Sequence, residues 1–184
     1  MGPPGSGKGT QAGDIGERHG VPAISTGDIF RANVDADTPL GHLAREYIEA
    51  GEYVPDSVTI DMLRDRVDQP DCEQGFVLDG YPRTIAQVGA LDELLTSTRH
   101  ELRAVLVLEV DRDELVDRLV RRAATEGRTD DSEDVIRRRL ELYADETDPL
   151  LSEYDSRGVL VRLDGSGTRA EVAERVAEAL AVRA

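Results

Sequence analysis

Apolar positions along the chain recur in two spacings, and the two alternate from end to end. Three- and four-residue spacings mark helices. They predict one from Lys8 to about His19, one carrying Ile29, Phe30 and Val34 with Thr26 as its cap, and one after Pro39 carrying Leu40, Leu43, Tyr47 and Ile48, which Gly51 ends. Val58, Met62, Leu63 and Val67 give a further helix closed by Gln69-Pro70. Short continuous apolar runs mark buried strands: a first at Val21–Ser25, then Gly75–Asp79, Ala104–Leu108 and a short Val159–Val161. Helices at Thr84–Leu95, Asp113–Arg122, Ser132–Tyr154 and Thr168–Val182 separate and follow them. Strands alternating with helices predict an α/β fold with a parallel sheet covered on both faces.

Two stretches break this rhythm. Residues 26–54 insert two helices where one crossover would suffice, and residues 123–131 form a short polar break between helices. Both are candidate mobile flaps. The start is also unusual, because only Met1 precedes the glycine-rich loop that opens at Gly2. A phosphate-binding loop hangs from the end of a central strand, so the expectation is that Met1 ends such a strand and that about five apolar residues belong upstream.

The chain has 184 residues, which fits one domain with an ample core. Its formal charge is −16, from 38 acids against 22 bases. That field disfavours nucleic acid and anionic lipid as partners. One cysteine, Cys72, excludes an internal disulfide framework and a multi-cysteine zinc site, and reads as a structural thiol or an exposed accident. No apolar run reaches the ~18 residues of a membrane span, and no signal-peptide pattern opens the chain, so the expectation is a soluble cytoplasmic protein. Of the 22 bases, 21 are arginine and a single one, Lys8, is lysine, and it sits in the glycine-rich loop. A high-GC coding bias accounts for the arginines but not for the position of that lysine.

Gly2-Pro-Pro-Gly5-Ser6-Gly7-Lys8-Gly9-Thr10 matches a P-loop up to its lysine. Glycines let successive backbone N–H groups turn toward an anion, and the following helix adds its positive end. Lys8 would reach the β- and γ-phosphates. Thr10 comes one residue later than the magnesium-binding hydroxyl of most P-loops. Asp79, ending an apolar strand, stands where a Walker-B-type acid organises magnesium, often through water. As a bland alternative, the first segment is a Gly/Pro-rich turn and the second a turn residue; the lysine in register and the helix that follows favour phosphate.

Gly80-Tyr81-Pro82-Arg83-Thr84, followed by Gln87, is the most specific stretch. With the GxxGxGKGT loop, Ser25-Thr26-Gly27-Asp28 and the arginine-rich break in family order, the chain resembles the adenylate kinases of the nucleoside monophosphate kinase family, from the loop to the C-terminus. The resemblance implies a P-loop nucleoside kinase fold: a three-layer sandwich with a central parallel sheet, its first strand largely missing from this sequence. It implies one kinase domain over residues 1–184, with a nucleoside-monophosphate-binding flap at 25–54 and a short lid at 122–131. ATP would lie on Gly5, Ser6, Gly7, Lys8, Gly9 and Thr10, with Arg118, Arg122 and Gly167. AMP would be held by Thr26, Arg31, Glu52, Tyr53, Val54, Gly80, Tyr81, Pro82, Arg83 and Gln87, with Arg128 and Arg139. Gln87 would read the adenine edge, since a carboxamide both donates and accepts, and Arg31 and Arg83 have the fork that grips a phosphate. Lys8, Arg83, Arg122, Arg128 and Arg139 would be catalytic, Asp79 would serve the magnesium, and Asp130 and Asp131 match the acids of the lid. Arg121, Arg137 and Arg138 read as solvated helix-face charges.

The implied reaction is reversible and magnesium-dependent: ATP plus AMP gives two ADP. The acceptor oxygen of AMP is already ionised, so no general base is needed, in keeping with His19, His42 and His100, which are scattered and suggest no triad. The resemblance implies a monomer without structural zinc, with no nucleic-acid or membrane partner. Rival readings are a kinase for UMP or CMP, a GTP-using donor site, and a nucleotide-binding sensor without transfer.

Overall fold

A computed structural model describes residues 1–126 and 132–182, with the side chains of 124–126 left aside. Helix α1 (Lys8–His19) begins at Gly7, whose φ of 86° no other residue type adopts cheaply, and ends at Gly20. Strand β1 (Ala23–Ser25) follows. The next two helices are α2 (Thr26–Asp35) and α3 (Pro39–Ala50). Ser25, not Thr26, caps α2: its side chain accepts from the Asp28 N–H at 3.3 Å, and Thr26 is the first helical residue. Gly51 terminates α3 in the left-handed conformation, as its position suggested.

Helices α2 and α3 cross so closely that a Cβ on Gly41 would lie 2.1 Å from the Asn33 carbonyl. They carry a core of their own, in which Phe30 and Ala44 meet Val54 and Met62. Helix α4 (Asp56–Val67) leads through a 3₁₀ turn, Pro70–Cys72, to β2 (Val77–Asp79). Cys72 is fully buried, so it is a structural thiol. Then come α5 (Ile85–Thr98), β3 (Val105–Glu109), α6 (Arg112–Glu126) and α7 (Glu133–Leu142). The helix expected over Ser132–Tyr154 is interrupted. After α7 the backbone widens into a π turn, Tyr143–Thr147, before α8 (Leu150–Ser156). Pro149 supplies no N–H to continue the ladder, and Asp148 N–H instead reaches back to the Tyr143 carbonyl at 2.8 Å. Strand β4 (Leu160–Asp164), three residues longer at its end than the apolar run implies, and α9 (Arg169–Ala181) complete the chain. Thr168 and Glu171 form a reciprocal capping box on α9.

The fold is α/β with parallel strands, and those strands form two pairs: β1 with β2 (Ile24 beside Leu78) and β3 with β4 (Val107 beside Arg162). Met1 lies against β3. Its amino group donates to the Leu106 carbonyl, and Leu108 N–H donates to the Met1 carbonyl at 3.1 Å, the pattern of one parallel bridge opposite Val107. Between β2 and β3 runs a groove of about 920 Å³, lined by both strands, by Ala12 and Ile15 of α1, and by Leu91 and Tyr154. The Val77–Asp79 strand is therefore only half-buried, because one of its edges opens on that groove.

Candidate active site

The site is built where α1 begins beside the C-terminal ends of β1 and β2. Gly2, Gly5 and Gly7 all take positive φ in the loop. A Cβ on Gly5 would press on the Leu115 carbonyl and the Leu119 side chain, both at 3.0 Å, so the loop is seated tightly on α6. The first turn of α1 has neither an acid nor a side-chain cap, a helix start that favours an anion. Lys8 extends from this turn, 3.4 Å from the Pro3 carbonyl. Burial pulls its ammonium down to a pKa of about 8; Asp79 opposes that fall, while Arg83, Arg139 and Arg122 add to it. Lys8, Arg83 and Arg139 thus share one pocket, and the charge of Arg122 reaches Lys8 from α6.

Asp79 ends β2 close to that lysine. A Cβ on Gly9 would lie 3.1 Å from Asp79 Oδ2, and among the described residues Oδ1 is buried with no hydrogen-bond partner. The next turn is drawn together by the Gly80 carbonyl, which accepts from Thr26 Oγ1 at 3.0 Å and from Arg83 Nε at 2.7 Å. At φ 77° with a virtual Cβ 2.8 Å from Arg83 Nη2 and 2.9 Å from Thr26 Oγ1, residue 80 has room only for glycine. Tyr81 and Gln87 are buried, and the Tyr81 hydroxyl donates to the Gln87 carbonyl at 3.1 Å.

One pocket brings together Lys8, Thr26, Arg31, Tyr53, Val54, Gly80, Tyr81, Pro82, Arg83, Gln87 and Arg139. Arg31 pairs with Asp28, and the Arg83 guanidinium lies 5.0 Å over the Tyr53 ring. The other expected residues among those described lie outside this pocket's walls. Gly7, Gly9 and Thr10 are exposed at the head of α1, and Gly5 and buried Ser6 precede them. Arg118 pairs with Glu114 at 2.6 Å and donates to the Gly165 carbonyl at 3.1 Å, which ties α6 to the loop holding Gly167. Arg122 follows one turn later on α6. Arg128, Asp130 and Asp131 lie outside the described residues.

A profile of the adenylate kinase family matches residues 1–159. The chain belongs to the adenylate kinase family. An adenylate kinase of Nocardioides sp. is 57% identical over 182 residues, covering 99% of this chain and 95% of that protein. Adenylate kinases of Kocuria rhizophila and Pseudarthrobacter chlorophenolicus are each 56% identical over 180 residues, covering 98% of this chain and 96% and 94% of those proteins.

Three further side chains shape this adenylate kinase site, and the sequence reading passed over all of them. Arg138, taken as a solvated charge, pairs with Glu52 at 2.7 Å and joins α7 to the end of the 26–54 insert. Thr147 donates to the Arg83 carbonyl at 2.9 Å and meets the Tyr53 hydroxyl at 2.8 Å. Asp56 accepts from both Gln87 and Thr84. Their partners lie 86, 64 and 31 residues away in sequence, beyond the reach of any local pattern. Only Pro149, two residues after Thr147 at the start of α8, left a visible trace. Arg137 and Arg121 behave as expected of helix-face charges; Arg137 bonds Glu133 one turn back, and Arg121 the Asp117 carbonyl.

Proposed function

We propose that this member of the adenylate kinase family carries out reversible, magnesium-dependent phosphoryl transfer from ATP to AMP, giving two ADP, with the residues named above as its working parts. The observation that carries this reading is the convergence of Arg83, Arg139 and Arg122 on Lys8 beside an uncapped helix start. A site that merely held one nucleotide would not need cations on both sides of the transferred group.

In this reading ATP phosphates lie along Gly5 to Thr10, with Arg118, Arg122 and Gly167 on the donor side. AMP lies in the pocket between the 25–54 flap and the Gly80–Arg83 turn, its phosphate on Arg31 and Arg83 and its base on Gln87. Glu52, Tyr53 and Val54 border it, and Arg128 and Arg139 complete the charge over the transfer path. Transfer is in line from the donor to an ionised phosphate oxygen, so the protein's task is to position two polyanions and neutralise the equatorial oxygens. Residues 25–54 and 122–131 are the segments that close over the nucleotides and exclude water, the competing acceptor.

Magnesium fits the residues present. Asp79 carries a buried carboxylate oxygen without a protein partner beside Lys8. Among the described residues no cluster of three His, Cys, Asp or Glu side chains could hold a metal alone, which suits an ion held by one carboxylate and the nucleotide's own phosphates. Bound there, the ion would offset negative charge on the transferring phosphates. We further propose a monomer working in the cytoplasm, where its substrates are. The exposed large apolar side chains, Leu43, Ile85, Val120 and Val182, sit on four different helices or helix ends, which fits a monomer better than a dimer face.

The test is a coupled assay of the purified protein with ATP, Mg²⁺ and each of AMP, UMP, CMP and GMP. Diphosphate formation with AMP far above the others is expected. Arg83→Ala should lower kcat by several orders of magnitude while the protein stays folded. Turnover near normal in that variant, or a preference for UMP or CMP, would overturn the assignment.

A further inference from the structure

Asp56 opens α4 and does not line the nucleotide pocket, yet its carboxylate grips the residue that does. Oδ1 accepts from Gln87 Nε2 at 2.6 Å, and Oδ2 accepts from Thr84 Oγ1 at 2.8 Å. Thr84 Oγ1 in turn accepts the Gln87 backbone N–H at 3.3 Å. On the other side of the amide, Gln87 Oε1 accepts the Arg83 N–H at 2.8 Å. Gln87 itself is 1% exposed.

These contacts fix which end of the amide is which. An ionised carboxylate only accepts and a backbone N–H only donates, so nitrogen must face Asp56 and oxygen must face Arg83. A flipped amide would set donor against donor at Arg83 and acceptor against acceptor at Asp56, at a cost for each buried mismatch. What Gln87 retains for a ligand is one amide N–H and one carbonyl lone pair, in a fixed order.

We propose that Asp56 is a positioning residue that sets the base preference of the acceptor nucleotide by locking the polarity of the Gln87 amide. The proposal rests on the reading of Gln87 as the base-contacting residue. A 6-aminopurine presents a ring nitrogen that accepts beside an amino group that donates, and the locked amide complements both. A 6-oxopurine presents the reverse, so each of its groups meets its own kind. AMP and IMP differ in this edge alone, which makes the pair the cleanest probe.

The experiment compares kcat and KM for AMP and IMP, at saturating ATP and Mg²⁺, in the wild-type protein, Asp56→Asn and Gln87→Leu. Asn at position 56 can donate or accept, so one of the two contacts that set the polarity of the Gln87 amide is lost and only the Arg83 N–H still holds it. The AMP:IMP ratio of kcat/KM should fall at least about tenfold, from the usual worth of a two-bond base contact. The loss for AMP should appear in KM, with kcat within about threefold, because the phosphate-handling groups are untouched. A ratio within twofold of wild type in Asp56→Asn, with the preference flattened in Gln87→Leu, overturns the role of Asp56 and leaves the reading of Gln87 standing. An unchanged ratio in Gln87→Leu overturns both. If Asp56→Asn does not fold, Thr84→Ala removes the second anchor of the carboxylate. Its ratio should drop about threefold, and an unchanged ratio there refutes the proposal, since stability loss alone does not move a ratio.

Discussion

Thr147→Val offers a direct measure of how the flap end is tied to the rest of the site. Thr147 closes the π turn and is 4% exposed. It has one hydroxyl proton, and that proton goes to the Arg83 carbonyl at 2.9 Å. The Tyr53 hydroxyl, 2.8 Å away, must therefore be the donor to Thr147. Valine keeps the shape and removes both bonds. At about 1 kcal/mol net for each, the variant should be less stable by about 2 kcal/mol. For a chain of 184 residues that corresponds to a fall in Tm of about 4–8 °C. Tyr53→Phe removes one of the two bonds and should cost about 1 kcal/mol. The double variant should cost no more than Thr147→Val alone, giving a coupling of about 1 kcal/mol. Urea denaturation of the four proteins measures this. Because Arg83 stacks on Tyr53 and bonds Thr147 through its carbonyl, KM for AMP should also rise several-fold, with a smaller loss in kcat. Costs that simply add, or a Thr147→Val protein as stable as wild type, would refute the argument.

The Lys8 ammonium predicts a pH profile. With its pKa lowered to about 8, the free enzyme loses this charge above that pH, so kcat/KM for ATP should fall there. Bound phosphates restore the charge, so kcat should hold to higher pH; a kcat/KM flat to about pH 9.5 would contradict this. The folded pKa lies below the unfolded one, so from about pH 8 to 10.5 the unfolded chain binds more protons and this group makes stability rise with pH. Gly80→Ala forces a Cβ onto Arg83 Nη2 and Thr26 Oγ1 and should raise KM for AMP at least about tenfold, from the few kcal/mol such strain carries; a KM within twofold of wild type counts against the packing at this turn. Adding five Val, Leu or Ile residues before Met1 should fill the groove between β2 and β3. At about 2 kcal/mol per buried side chain, less about 1.5 kcal/mol for each ordered residue, the net is a gain of about 2 kcal/mol. Calorimetry should then show a Tm about 4–8 °C higher, and no shift would mean the segment does not enter.

Local signals were legible wherever one residue type has one physical use. Gly51 ends α3 and Gly20 ends α1 because each must turn left-handed. The helix expected over Thr168–Val182 is α9, which starts where Thr168 and Glu171 cap it. The Ser25-Thr26 pair was misassigned because either hydroxyl can cap a helix. The choice fell to Ser25 once Thr26 was drawn to the Gly80 carbonyl, 54 residues away. Arg138 failed for the same kind of reason. Nothing in Arg137-Arg138-Arg139 says which of three arginines bonds the chain neighbour Glu133, which bonds Glu52 and which turns to the pocket; helix phase against a flap decides it. The division of the sheet into two pairs was likewise beyond the apolar pattern, which marks strands but not their neighbours.

The overall charge of −16 and a pocket for two polyanions are compatible because they act at different ranges. Much of the surplus acid is at the surface, in exposed pairs such as Arg162–Glu109 and Arg137–Glu133 or solvated. At physiological ionic strength such charges are screened beyond about 8 Å. Burial is the main cause of the lowered Lys8 pKa, and repulsion from Arg83, Arg139 and Arg122 adds to it against the pull of Asp79. Folding thus assembles a cluster that is electrostatically unfavourable until phosphates arrive. The packing that forces it is apolar: Gly5 seated on Leu119, and Val88 and Leu91 holding α5 behind the Gly80–Arg83 turn. Relief of that repulsion is available only to a ligand with several negative charges, and most fully to one whose charge is spread along the path between Lys8 and Arg83. In the proposed reaction a transferring phosphoryl group meets that description better than either nucleotide alone, so the same repulsion would favour the transition state over the bound ground states.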